Sequence, residues 1–131
     1  MLIGLFLLLL GLTSLVSCGF SKQNTTKIRD LDYTVLEEEE IPEELLTMIE
    51  EKKEGECKLT YTFEGYLYIA RGFGQQQTGG YSIQMQELYL TENAIYFNAE
   101  LLGPTPEEAI GGESYPYIVI KTEALDRSVV F

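Results

Sequence analysis

The sequence predicts a mainly β fold: a small antiparallel β-sandwich or partly open barrel of about five or six strands, with one N-terminal amphipathic helix. Three observations predict this class. Apolar and polar residues alternate in successive short runs after residue 57, which is the period of a strand with one buried face. Glycine-containing or polar turns separate those runs. One stretch before them instead repeats its apolar residues at the 3.6-residue period of a helix.

The first segment, residues 1–17, is predicted to be a signal peptide. It carries no charged side chain, and its apolar stretch of roughly 15 residues is shorter than a membrane span. It runs into Leu15-Val16-Ser17-Cys18, which is similar to a bacterial lipobox. We therefore expect a lipid on the Cys18 thiol, which would anchor the protein to the extracytoplasmic side of the cell membrane. A short transmembrane anchor is the alternative.

The second segment, residues 18–40, is predicted to be a polar and acidic tether. Its first part lacks apolar periodicity, which is typical of a linker that separates a domain from a membrane. It ends in four consecutive glutamates at positions 37–40. Calcium binding is one interpretation of such a run, but the turn glycine and carbonyl ligands of a calcium loop are missing. We favour a solvated run of charge.

The third segment, residues 41–131, is predicted to be a β domain that opens with a lead-in helix at 42–54. Pro42 suits the first helical turn, and Gly55 follows the helix as a C-terminal cap. One face of this helix is apolar and is expected to pack on a sheet; it consists of Ile41, Leu45, Met48 and Ile49.

The strands follow in order after Gly55. KLTYTF and YLYIAR are joined by a two-residue turn at Glu64-Gly65. In YSIQMQELYL the alternation changes phase near Gln86-Glu87, which predicts a β-bulge. A turn after Leu90 leads into IYFNAEL, and PYIVIKTE forms the last long strand. The tail SVVF adds a short edge strand.

The composition excludes several functions. The chain has 21 acidic and 9 basic residues, and its net charge of −12 repels the phosphates of nucleic acid. It contains no histidine, the commonest general base and metal ligand, and only two cysteines, Cys18 and Cys57. Cys57 is interpreted as a small residue in or beside a strand. We therefore predict no catalytic residue, no metal, no cofactor and no nucleic-acid partner.

The glycine-rich stretch GFGQQQTGGYSI raises the question of phosphate binding. A phosphate loop needs a helix after its glycines, or a following lysine, but YSIQMQ alternates like a strand and no lysine lies between Lys58 and Lys121. Two interpretations remain: ordinary turns, or a flexible binding loop beside the second glycine loop, GPTPEEAIGGESYP. Under the second, the candidate protein-binding residues are Thr78, Gly79, Gly80, Tyr81, Ser114, Tyr115, Pro116 and Tyr117.

The stretch from about Pro42 to Phe131 resembles the C-terminal domain of the protease-complex subunit PrcB family. The resemblance is carried by YLYIARGFG, Thr78-Gly79-Gly80-Tyr81, ELYLTENAIYFNAEL and the start of the last long strand. It implies a non-catalytic, lipid-anchored envelope protein. It also implies an envelope protein as partner, within a surface protease complex.

A weaker likeness extends to the chagasin-type inhibitors of cysteine proteases, which are small immunoglobulin-like sandwiches. The Thr78 to Tyr81 loop is similar to their first inhibitory loop, and Gly111-Gly112 corresponds to the glycines of their middle loop. Tyr115-Pro116-Tyr117 stands where they carry Arg-Pro-Trp. Protease inhibition is therefore the alternative function that the sequence suggests.

Overall fold

The computed structural model describes residues 26–131, which form two packed β-sheets with one α-helix on the outer face of the second sheet. The predicted sandwich with one lead-in helix is confirmed, and neither sheet closes into a barrel. The predicted signal peptide at 1–17 and the predicted lipidation site Cys18 lie outside the described residues. The part of the chain from residue 26 to residue 131 contains no candidate membrane-spanning helix.

Eight strands and the helix follow one another along the described chain. Their bounds are β1 (Lys27–Asp30), β2 (Thr34–Val35), α1 (Glu43–Lys52), β3 (Glu56–Phe63), β4 (Tyr66–Phe73), β5 (Ser82–Thr91), β6 (Ala94–Leu102), β7 (Tyr117–Glu123) and β8 (Ser128–Val130). The first sheet has the order β1-β5-β6-β8 and the second β2-β7-β4-β3. Neighbouring strands are antiparallel except β6 and β8, which are parallel.

The predicted tether is too long, because its second half belongs to the folded domain. β1 pairs with β5, β2 pairs with β7, and Leu31 between them is buried in the core. The domain therefore includes residues 27–40, and eight strands replace the predicted five or six. The glutamates at 37–40 are exposed and form a short 3₁₀ turn. Strands of two to four residues are too short for their alternation to be visible in the sequence.

Two hydrophobic clusters hold the layers together. The cluster between the sheets comprises Leu31, Leu67, Ile69, Leu88, Leu90, Ile95, Phe97, Ile118 and Ile120. The cluster under α1 comprises Ile41, Leu45, Ile49, Tyr68, Ala70 and Val119, with Met48 packed at its margin. The predicted apolar face of the helix is thus confirmed. β4 and β7 are covered on both faces, and they are the rigid centre from which the loops of the next section extend.

Two local predictions for the β-strands are confirmed. Glu64 and Gly65 both have positive φ, at 50° and 84°, and connect the paired residues Phe63 and Tyr66. Such a two-residue turn matches the twist of the strands it joins. The register of β5 against β6 shifts between Met85 and Glu87, where the change of phase predicted a bulge.

Thr91 is a completely buried polar residue at the turn from β5 to β6, and its replacement by valine is expected to destabilise the domain. The Thr91 hydroxyl donates to the Ala94 carbonyl at 3.1 Å and accepts from the amides of Ala94 at 3.0 Å and Asn93 at 3.2 Å. Thr91→Val removes these bonds with little change of shape, so we expect the free energy of unfolding to fall by about 1–2 kcal/mol. Urea denaturation measures the change.

Thr62→Val is the matched control for Thr91→Val, because Thr62 is exposed on β3. It makes the same chemical change without removing a buried bond, so we expect stability to change by less than about 0.5 kcal/mol. Equal denaturation midpoints for the two variants would show that the Thr91 hydroxyl does not stabilise the turn.

Candidate functional site

The two glycine loops leave the sandwich at the same end and lie side by side. Residues 74–81 connect β4 to β5, and residues 103–116 connect β6 to β7. Gly72 pairs with Tyr117 where the loops leave the second sheet, and Ser82 pairs with Leu102 where they reach the first. Each loop therefore crosses from one sheet to the other next to its neighbour. We call residues 74–81 and 103–116 the paired loops.

Backbone hydrogen bonds join the paired loops at two points. Gln76 and Ser114 exchange bonds of 2.8 and 3.0 Å, and Gly79 and Ile110 exchange bonds of 2.7 and 3.2 Å. The Ser114 hydroxyl also donates to the Thr78 carbonyl at 2.7 Å. The paired loops are thus one extension of the sandwich, cross-linked by hydrogen bonds. The two loops lie at the same end of the sandwich, as the sequence suggested.

The Gly79-Gly80 pair is required by the close approach of the two chains. Gly80 has a φ of +95°, and a Cβ atom on it would lie 2.7 Å from the Glu108 carbonyl oxygen and 3.0 Å from Pro104 Cβ. A Cβ on Gly79 would lie 3.2 Å from Ile110 Cβ. The first interpretation of these glycines, a backbone role in a turn, therefore explains Gly80. It does not explain the side chains around it.

The glutamines of GFGQQQTGGYSI have different roles. The Gln76 side chain donates to the carbonyl oxygens of Phe73 at 3.2 Å and Gly74 at 3.4 Å, which stabilises the bend after β4. The Gln75 backbone amide donates to the Glu54 carbonyl at 3.0 Å. Gln75 and Gln77 are exposed. Their side chains are therefore accessible to a partner, while Gln76 is half-buried.

The tyrosines of the site lie at opposite ends of the paired loops. Tyr81 lies at the first sheet, where its ring packs over Gly103. Tyr115 lies beside the C-terminal end of α1: Lys53 Nζ is 5.1 Å from its ring centre, and its hydroxyl donates to Glu113 at 3.2 Å. Tyr117 packs against the cluster under α1. The structure thus brings Thr78 and Ser114 into contact but separates Tyr81 from Tyr115.

Both tyrosines near the helix have neutral hydroxyls at pH 7. Partial burial, followed by the hydrogen bond to Glu113, raises the pKa of Tyr115. Burial, followed by the negative charges of Glu38 and Glu50, raises the pKa of Tyr117. These side chains therefore offer uncharged hydroxyls and aromatic faces for recognition at this end of the site.

Ile110 is a candidate contact residue that the sequence reasoning missed. It pairs with Gly79, and the residue is 64% exposed, the highest value among the exposed large apolar residues of the described chain. The signal in the sequence was an isolated isoleucine within the polar loop GPTPEEAIGGESYP. A partner that docks on the paired loops would bury this apolar side chain.

The site carries negative charge and no positive charge of its own. The chain has no lysine or arginine between Arg71 and Lys121, whereas Glu107, Glu108 and Glu113 are exposed on the second loop. Within residues 26–131, no three His, Cys, Asp or Glu side chains come close enough to hold a metal ion. The arrangement suits recognition of an apolar or basic surface, and it disfavours an anionic ligand.

A cleft of about 580 Å³ lies at the other end of the second sheet, away from the paired loops. It is lined by the Arg29–Glu123 ion pair, whose atoms are 2.6 Å apart, and by the Lys121 ammonium, which lies 4.0 Å from the ring centre of Tyr66. None of the eight predicted site residues lines this cleft. This cleft is therefore separate from the paired loops.

Part of the chain matches a known protein family. The sequence model described as PrcB C-terminal matches residues 67–123. This range runs from the second residue of β4 to the last residue of β7, and it contains both paired loops and all eight predicted site residues. Comparison with curated proteins and with solved structures gave no match.

Proposed function

We propose, from the premise that residues 67–123 form a PrcB C-terminal domain, that this chain is a non-catalytic, lipid-anchored envelope protein that binds a protein of a surface protease complex. The family name suggests the link to a protease complex. The paired loops are the proposed contact surface. The observation that carries this proposal is the exposed Ile110 side chain, held in place by the Gly79 bridge at the tip of a cross-linked extension.

The course of the chain supports outward presentation of the paired loops. The described chain enters at Thr26, and Lys27 pairs with Thr91 at the end of β5. β5 begins at Ser82 beside the loops, so about nine residue steps of about 3.3 Å separate the two ends by about 30 Å. A lipid on Cys18 would attach on the entry side. The paired loops would then lie at the end of the domain opposite the point where the anchored chain enters it.

The only cysteine of the described chain is a packing residue. Cys57 is buried in β3 opposite Gly72, and a Cβ on Gly72 would lie 2.7 Å from the Cys57 sulfur. The chain contains no histidine that could activate this thiol. A buried thiol without a neighbouring base is a packing residue, so Cys57 supplies no nucleophile to a partner or a substrate.

Affinity capture from envelope extract tests the proposal, with the full-length chain in a non-ionic detergent as bait. Ile110→Ser keeps the backbone bridge to Gly79 but removes the exposed apolar side chain. We expect it to recover at least ten-fold less of the partner, because truncation of a central interface anchor typically costs about 2 kcal/mol or more.

Ile28→Ser is the matched control, since Ile28 is also a strongly exposed isoleucine (57%) but lies on β1 at the opposite end of the domain. It should recover as much partner as the wild type. Equal recovery by the Ile110 and Ile28 variants would contradict docking through the paired loops. Full activity of a captured protease would indicate a subunit, and loss of its activity would indicate the alternative inhibitory function.

A further inference from the structure

The four sheet edges of the domain differ in how well they are protected. β2 has two residues, β8 has three, and β1 has four with a register shift between Lys27 and Arg29. β3 has eight residues, all of which pair with β4 without a register shift. Short or irregular edges resist the addition of another strand, whereas a long regular edge is a template for it. Among the described strands, only β3 has this open form.

The side chains of β3 form two different rows. Leu59, Tyr61 and Phe63 lie on the face that carries α1, where the rings of Tyr61 and Phe63 stack at 6.1 Å and Phe63 is 41% exposed. The exposed residues Thr60 and Thr62 lie on the other face. Because successive side chains of a strand alternate, a strand added here would meet apolar groups on one face and polar groups on the other.

Carboxylates border this edge. The Tyr61 hydroxyl donates to Glu44 of α1 at 2.8 Å, which places a negative charge beside the apolar row. Glu56 begins the strand and Glu64 follows it, both exposed. Arg71 pairs with one oxygen of Glu56 at 2.8 Å, and Lys58 is the single basic residue of β3. Charge complementarity therefore favours an incoming strand with basic side chains beside Glu44.

The edge is continuous with the paired loops. The Gln75 amide donates to the Glu54 carbonyl at 3.0 Å, and a Cβ on Gly74 would lie 3.3 Å from the Gly55 backbone. The first residues of β3 therefore adjoin the point where the first loop leaves β4.

We propose that β3 is a strand-addition site for an extended segment of the partner protein, whose side chains on the α1 face are apolar beside Leu59 and Phe63 and basic beside Glu44. This inference rests on the proposed function, because it names the part of the partner that binds. It also predicts the mode of binding: main-chain hydrogen bonds along β3 would give affinity, and the row of Leu59, Tyr61 and Phe63 would select the side chains.

The test uses the full-length chain in detergent and a capped eight-residue peptide with threonine at every second position. The four positions between carry valine at both ends and lysine at the two in the middle, so that valine and lysine share one face of the strand. We expect the peptide to slow amide hydrogen exchange of residues 56–63 at least five-fold and to leave residues 27–30 unchanged. Glu44→Lys should raise the dissociation constant of the peptide at least five-fold. Glu100→Lys, the same charge change on the exposed face of the first sheet, should change it less than two-fold.

Three results would overturn the inference. The first is no protection of residues 56–63. The second is equal binding of a peptide with glutamate in place of lysine, since charge would then not select the segment. The third is concentration-dependent dimerisation that protects β3 without any peptide, because the edge would then bind a second copy of this chain. If Ile110→Ser still lost its partner in the capture experiment, the proposed function would stand without this inference.

Discussion

Gly80→Ala is expected to separate the paired loops and to abolish partner capture. At a φ of +95°, alanine is strained, and its Cβ would lie 2.7 Å from the Glu108 carbonyl oxygen, a backbone atom that cannot rotate away. Left-handed strain and overpacking together are expected to cost about 2–4 kcal/mol. Urea denaturation would measure that loss. Amide hydrogen exchange at Gly79 and Ile110 would measure the bridge between the loops directly. We expect this exchange to be faster in the variant than in the wild type.

Gly111→Ala is the control, because Gly111 belongs to the same loop, its φ lies outside the left-handed region, and no heavy atom lies within 4 Å of its Cβ position. We expect its stability to lie within about 0.5 kcal/mol of the wild type and its partner capture to be unchanged. If both glycine variants behaved like the wild type, the close approach at Gly80 would not be what fixes the paired loops.

Leu45→Ala is expected to give a similarly large loss of stability, by weakening the attachment of α1 to the second sheet. Leu45 is completely buried in the cluster that contains Tyr68, Ala70 and Val119. Removal of a buried leucine side chain leaves a cavity and costs about 2–5 kcal/mol. That is a large part of the stability of a domain of this size, so the urea midpoint should fall clearly.

Leu46→Ala provides the matched control for Leu45→Ala. Leu46 is the next residue of the same helix and is only half-buried, and its backbone amide still donates to the Pro42 carbonyl at 2.9 Å. Helix propensity changes equally in the two variants, so the difference between them isolates burial. We expect Leu46→Ala to cost less than half as much. Equal losses would mean that α1 is not held by the face centred on Leu45.

Gly80→Ala changes the paired loops themselves, whereas Leu45→Ala changes the helix that packs beside them. Lys53 of the helix end contacts the Tyr115 ring, so loosening α1 by Leu45→Ala should also disturb the Tyr115 end of the paired loops. The Gly80 variant acts at the other end, near Tyr81. A partner that needs only Ile110 and Tyr81 would tolerate Leu45→Ala at temperatures where the variant is folded. A partner that also contacts Tyr115 would not.

The sequence alone determined the features whose cause is local. The apolar period of α1, the proline at its start, the Glu64-Gly65 turn and the bulge before Glu87 each depend on residues close together in the chain. The predicted cap at Gly55 is wrong, because α1 ends at Lys52 with Lys53 as its C-cap and Gly55 does not have a positive φ. Propensity, turn chemistry and alternation are sufficient to predict such elements. The sequence also singled out both glycine loops, because their composition breaks the strand pattern on either side.

Only the tertiary structure decided which distant segments meet. Lys27 pairs with Thr91, which brought residues of the predicted tether into the first sheet, and Gly79 pairs with Ile110, which joined the two loops and exposed the isoleucine. These pairings depend on the twist and packing of two sheets, and the residues involved carry no periodic signal of their own. A short strand or a loop takes its conformation from the partner strand, and the partner is fixed only when the whole sandwich is assembled.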